Sequence, residues 1–127
     1  PVKSDYFTYA NTLGNYSQLL FATGRDEAAI ALATRTLSLA GPGENPLVAE
    51  CRFYLFAHSP ERRRESGEEL RDLLAAGVTT GSWSFESDLE HLRREEDPRY
   101  DLVRDVADAL RSGDTRTLEA RGEWYTL

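Results

Sequence analysis

Apolar positions along this chain recur every three to four residues, and glycine or proline interrupts the pattern at intervals, which predicts helices in succession. Tyr9, Leu13, Tyr16 and Leu20, with Phe21 beside them, mark a first helix from about Ser4 or Asp5 to Thr23, closed by Gly24. A second runs from about Asp26 to Ala40. Its first-turn acids, Asp26 and Glu27, suit the positive end of a helix, and Gly41-Pro42-Gly43 stops it. Ala29, Ile30, Ala33 and Leu37 give this helix a stripe in which small residues alternate with large ones, so a neighbouring helix can approach closely.

The third helix, about Pro46 to His58, is apolar nearly all round, from Leu47 through Phe53 to Ala57. Such a pattern needs cover on several sides. Ser59-Pro60 breaks the chain before a fourth helix, about Glu61 to Ala76, with Leu70, Leu73 and Leu74 inward. A fifth is expected from Phe85 to Glu95. A sixth starts at Asp97-Pro98, runs to Arg111 and carries Tyr100, Val103, Val106, Ala107 and Leu110 on one face. A short last helix follows from about Thr115 to Ala120. No alternating β-branched run or Asn-Gly turn offers a hairpin of strands, so the expected class is all-α.

Composition narrows the function more than the fold. At 127 residues the chain suits one domain (residues 1–127), with 40% apolar and 29% charged side chains, as in an ordinary water-soluble protein. Its formal charge of −7 is uneven: −1 over residues 1–45 and −6 over residues 46–127. An acidic surface repels phosphate backbones and argues against nucleic-acid binding. No stretch of about 18 apolar residues is present to cross a membrane. Pro-Val-Lys-Ser-Asp at the start lacks the apolar run of a secretory leader. The lone Cys51, in an apolar run, reads as a buried, inert thiol, compatible with a reducing cytoplasm.

Candidate chemistry is sparse. His91 lies among Asp88, Glu90 and Glu95, but no second His or Cys follows at ligand spacing, so neither a metal nor another cofactor is expected. His58, at a helix end, suits the negative pole there. Arg62, Arg63 and Arg64 face Glu65, Glu68 and Glu69 at helical spacing and read as a solvated, self-neutralising surface. No nucleophile elbow, Walker loop or dinucleotide fingerprint occurs. An enzyme is not expected.

An internal repeat carries the remaining signal. Leu20-Phe21-Ala22 matches Leu55-Phe56-Ala57 at an offset of 35, and the following helices align at an offset of 37, pairing Ala29 with Ser66, Ala33 with Leu70 and Leu37 with Leu74. The stretch Asn11–Pro42 resembles one tetratricopeptide repeat, whose period is about 34 residues. Leu13, Tyr16 and Leu20 fall on the motif's large positions, Gly24 on its turn glycine and Ala29 on its most characteristic small position; Ser17 and Thr36 depart from it. Residues 46–77 resemble it less, with an insertion near Ser59, and the third hairpin keeps only the two-helix form. Trp83-Ser84-Phe85 and the acidic helix after it resemble the end of short bacterial tetratricopeptide proteins.

The resemblance implies a right-handed array of three antiparallel hairpins, at about 5–40, 46–77 and 84–111, with a capping helix and tail over 114–127. It also implies a non-catalytic scaffold or adaptor that binds a protein or peptide partner in a shallow groove. Carried over position by position, the groove residues are Asn11, Gln18, Phe21, Phe53 and Phe56. The motif's carboxylate-gripping positions hold Gly14, Gln18 and Glu50, so a C-terminal carboxylate is not the expected ligand. Phe53 and Phe56 equally fit helix packing. The tail Trp124-Tyr125-Thr126-Leu127 fits either folding back onto the array or self-association, and a homodimerising domain of a larger protein is the competing function.

Overall fold

The computed structural model describes residues 15–40, 45–81 and 83–127. Residues 15–22 are helical (α1) and are followed by α2 (Asp26–Leu39), α3 (Asn45–His58), α4 (Arg63–Ala75), α5 (Glu86–Arg94), α6 (Tyr100–Ser112) and α7 (Arg116–Glu119). A 3₁₀ turn, Trp124–Thr126, ends the chain. No strand occurs among the described residues, and the observed ends lie within about two residues of those the periodicity predicts. The expected start of α1 near Ser4 or Asp5, and the stop at Gly41-Pro42-Gly43, lie outside the described residues.

The predicted all-round apolarity of α3 has a simple cause: it is the central helix. It packs on α2, on α4 and on α6, and Leu47, Ala49, Cys51 and the run from Phe53 to Ala57 are all buried. Cys51 is a free thiol that burial, and secondarily the neighbouring Glu50, pushes upward against the pull of Arg52. Phe21 from α1 stacks on the His58 ring at 4.1 Å and meets Tyr54 at 5.3 Å. Phe85, just before α5, closes the same cluster, 4.0 Å from Phe53. Rings of three segments, α1, α3 and the stretch before α5, therefore interlock in close contact around one helix.

Polar ties fix the neighbours of α3. Arg52 lies 2.8 Å from Glu69 and 3.5 Å from Glu65, both on α4. At the other end, Arg63 Nε donates to Phe56 O (3.1 Å) and Arg99 Nη1 donates to the same carbonyl (3.0 Å), while each also reaches Ala57 O at 3.3 Å. The last carbonyls of a helix have no partner within it, and two cations satisfy them here. Arg99 also lies 4.7 Å over the Phe56 ring. Its guanidinium is pushed down to about 10, by desolvation first and by Arg63 second, with Asp97 opposing.

Two expectations are corrected. The inner face of α1 is Ser17, Leu20 and Phe21, whereas Tyr16 is 49% exposed. Packing decides this: Phe21 finds the Tyr54 and His58 rings, and a tyrosine one face round points to water. Arg63 is not part of a solvated arginine face, because its guanidinium turns inward to the α3 carbonyls; Arg64 alone makes the expected helical pair, with Glu68 at 3.3 Å. In the third hairpin α6 packs on α3 and on α5, and α5 is tied to α3 through Asp88 and His58.

The tail folds back, but onto the second hairpin instead of the last. After α7 packs on α6, the turn Trp124–Thr126 crosses to α4. Trp124 is 5% exposed and meets Phe56 edge to face at 5.9 Å, and Arg71 lies over the Tyr125 ring at 4.4 Å. Gly67 permits this approach: a Cβ there would lie far inside contact distance of Tyr125 O and 3.0 Å from Phe56 Cε1.

Candidate functional site

Of the five residues predicted to line a groove, Asn11 lies outside the described residues. Phe21, Phe53 and Phe56 each have 0% exposure and belong to the core, so none is open to a ligand. Gln18 is 8% exposed, and its Nε2 donates to Ser84 O at 3.1 Å, tying α1 to the segment that leads into α5. Phe53 and Phe56 thus lie on the covered central helix, Phe21 packs against its Tyr54 and His58 rings, and Gln18 is engaged elsewhere, with Ser84.

Two clefts flank α5 instead. The first, of about 390 Å³, lies between the Gly24 turn, the end of α3 and the α5–α6 connection. Gly24 has φ +78°, a left-handed turn that glycine adopts without strain. That turn sets Asp26 at the start of α2, where its Oδ2 is 4.0 Å from His58 Nδ1. His58 Nε2 is 2.7 Å and 2.9 Å from the two carboxylate oxygens of Asp88 on α5, and both side chains are nearly inaccessible. His91, Glu95 and Asp97 complete the wall.

This cluster looks like acid–base machinery at first sight, but its geometry is that of a brace. The His58 ring is held on its face by Phe21 and at Nε2 by Asp88, joining α1, α3 and α5. Among the described residues lining the cleft there is no serine, threonine or cysteine whose proton it could take. Asp97 Oδ1 accepts the Arg99 N–H at 2.8 Å, as a capping group for the turn into α6. Among the described residues no three His, Cys, Asp or Glu side chains converge as metal ligands.

The second cleft is more open, of about 710 Å³, between the end of α1, one face of α5 and the start of α6. Ala22, Leu89 and Tyr100 supply its apolar lining, and Glu86, Ser87, Glu90 and Arg94 its polar side. Leu19 precedes Ala22 by three residues and Tyr16 precedes Leu19 by three, so an exposed ridge continues along α1 from the cleft. Leu19 is 56% exposed; with Tyr16 and Leu127 it is one of the large apolar side chains most open to solvent among the described residues.

Sequence reasoning missed this ridge because it assigned Tyr16 to the buried stripe. One available signal was charge: positions 15–23, Asn-Tyr-Ser-Gln-Leu-Leu-Phe-Ala-Thr, contain no charged residue on either face. A surface helix normally puts its charges outward.

Compared with protein-family models, curated proteins and solved structures, the chain gives no significant match.

Proposed function

We propose that this chain is a non-catalytic protein–protein interaction domain, a scaffold or adaptor built from helical hairpins of tetratricopeptide-like character in its first two pairs. Burial at equivalent positions supports the repeat: Phe21 and Phe56, Ala29 and Ser66, and Ala33 and Leu70 are all at 0% exposure. The observation that carries the function is the exposed Tyr16–Leu19 ridge running into the open cleft beside α5. Contiguous apolar side chains at a cleft mark binding surfaces far more often than scattered ones do. The binding face is therefore the outer side of α1 with α5, and not the buried phenylalanines.

A photo-crosslinking amino acid at position 19 tests this reading, with one at the exposed Arg111 as control. The expected result is a discrete adduct with another polypeptide from position 19 alone, suppressed in competition by unlabelled chain. Identical adducts from both positions would refute it. Adducts of twice the chain mass, matched by a dimer in light scattering, would replace the adaptor with a self-associating domain.

A further inference from the structure

The open cleft has a definite chemical character beyond being apolar. Its α1 wall carries no charge over residues 15–23, whereas its α5 rim carries Glu86, Glu90 and Arg94. Glu90 is already neutralised: Arg93 Nη2 lies 2.5 Å and Arg94 Nε 3.7 Å from its Oε1. Glu86 has no ion-pair partner among the described residues, and it sits exposed in the first turn of α5. The positive end of α5 favours that charge, but with no cation on it among the described residues the carboxylate at the edge of an apolar trough is the receptor half of a charge-assisted contact.

We infer that this cleft docks a cationic amphipathic segment of a partner protein, its apolar side chains on Tyr16, Leu19 and Leu89 and a lysine or arginine on Glu86. The inference rests on the interaction reading above and names the partner's chemistry. Charge decides against a second copy as the occupant. Two chains of −7 each would bring acidic surfaces together, which slows encounter and costs affinity. A cationic segment is drawn to the same surface by long-range attraction, and Leu19 and Tyr16 then supply the short-range burial.

The test uses two fluorescent synthetic peptides, leucine–lysine and leucine–glutamate, each patterned as one amphipathic helix, titrated onto the full chain by anisotropy. Three variants accompany the wild type: Glu86→Lys, Leu19→Ser and Asp108→Lys. Asp108 is exposed on α6 and lies about 12 Å along that helix from Tyr100, so it makes the same change of charge away from the cleft. Saturable binding of the leucine–lysine peptide is expected, weakened about tenfold by Glu86→Lys and by Leu19→Ser and less than about twofold by Asp108→Lys. Equal weakening by Glu86→Lys and Asp108→Lys would reduce the effect to overall charge and overturn the proposal. Preference for the leucine–glutamate peptide, abolished by Leu19→Ser, would overturn the cationic class while leaving the interaction reading intact. Binding of neither peptide would also overturn it, and the crosslinking at position 19 then decides the broader reading separately.

Discussion

Gly67 offers the sharpest test of how the molecule is closed. A glycine inside an ordinary helix is improved by alanine, by about 1 kcal/mol. Here the added methyl would meet Tyr125 O and the Phe56 ring, at 3.0 and 3.1 Å for its two nearest atoms. Phe56 is locked in the core, so the tail must move. The penalty cannot exceed the free energy with which the tail docks, because the tail can always leave. Burying a tryptophan removes about 150–250 Å² from water, roughly 4–6 kcal/mol, and its edge-to-face contact adds about 1. Ordering Trp124, Tyr125 and Thr126 costs about 1–2 kcal/mol each. The docking is therefore favourable by only about 1–3 kcal/mol, and Gly67→Ala is expected to lower stability by up to about 2 kcal/mol net of the helix gain. At this chain length that is a fall of several degrees in Tm. The assay is a double-mutant cycle in thermal or urea unfolding. In a Trp124→Ala background the tail has lost its anchor, and Gly67→Ala should reverse sign and stabilise by about 1 kcal/mol. Stabilisation in the wild type, or equal destabilisation in both backgrounds, would refute the reasoning.

Other outcomes follow from the core and its buried polar groups. Phe53→Ala should cost about 3–5 kcal/mol in urea unfolding, as should Phe21→Ala, with no recovery by nearby repacking; a cost under about 1 would return these rings to the surface. Glu50 is buried, accepts a hydrogen bond from Tyr54 Oη at 3.0 Å, and its carboxyl is raised to about 7 because desolvation outweighs that bond. The folded chain thus retains a proton that the unfolded chain releases above about 4.5. Stability from this group is full below that pH and falls as pH rises to about 7, by on the order of 3 kcal/mol. Urea midpoints at pH 5 and pH 8 should show this fall, and Glu50→Gln, which keeps an acceptor for Tyr54, should flatten it. Asp88→Ala leaves His58 without its Nε2 partner and should cost about 1–3 kcal/mol, with hydrogen exchange rising first in α5; an unchanged midpoint would remove the brace from the account.

Sequence periodicity by itself determined the helices and their order, because helix formation answers to local spacing, caps and breakers. Gly24 between α1 and α2 and the all-round apolarity of α3 were both legible, the second even predicting that α3 lies at the centre. The Leu-Phe-Ala pairing was legible too: Leu20 and Leu55 are both buried, as are Phe21 and Phe56, whereas Ala22 is half-buried and Ala57 buried. The tertiary structure alone decided which face of α1 is inside. Tyr16 and Phe21 are both aromatic and both sit on helical stripes, so no pattern separates them; the Tyr54 and His58 rings, some 33 residues or more away in sequence, draw Phe21 inward and leave Tyr16 in water. Arg63 reads as one of three surface arginines until the α3 carbonyls come within reach of its guanidinium. The site moved for the same reason. Apolar residues are drawn first into whatever contact the folded chain supplies, and a binding face consists of those it leaves over.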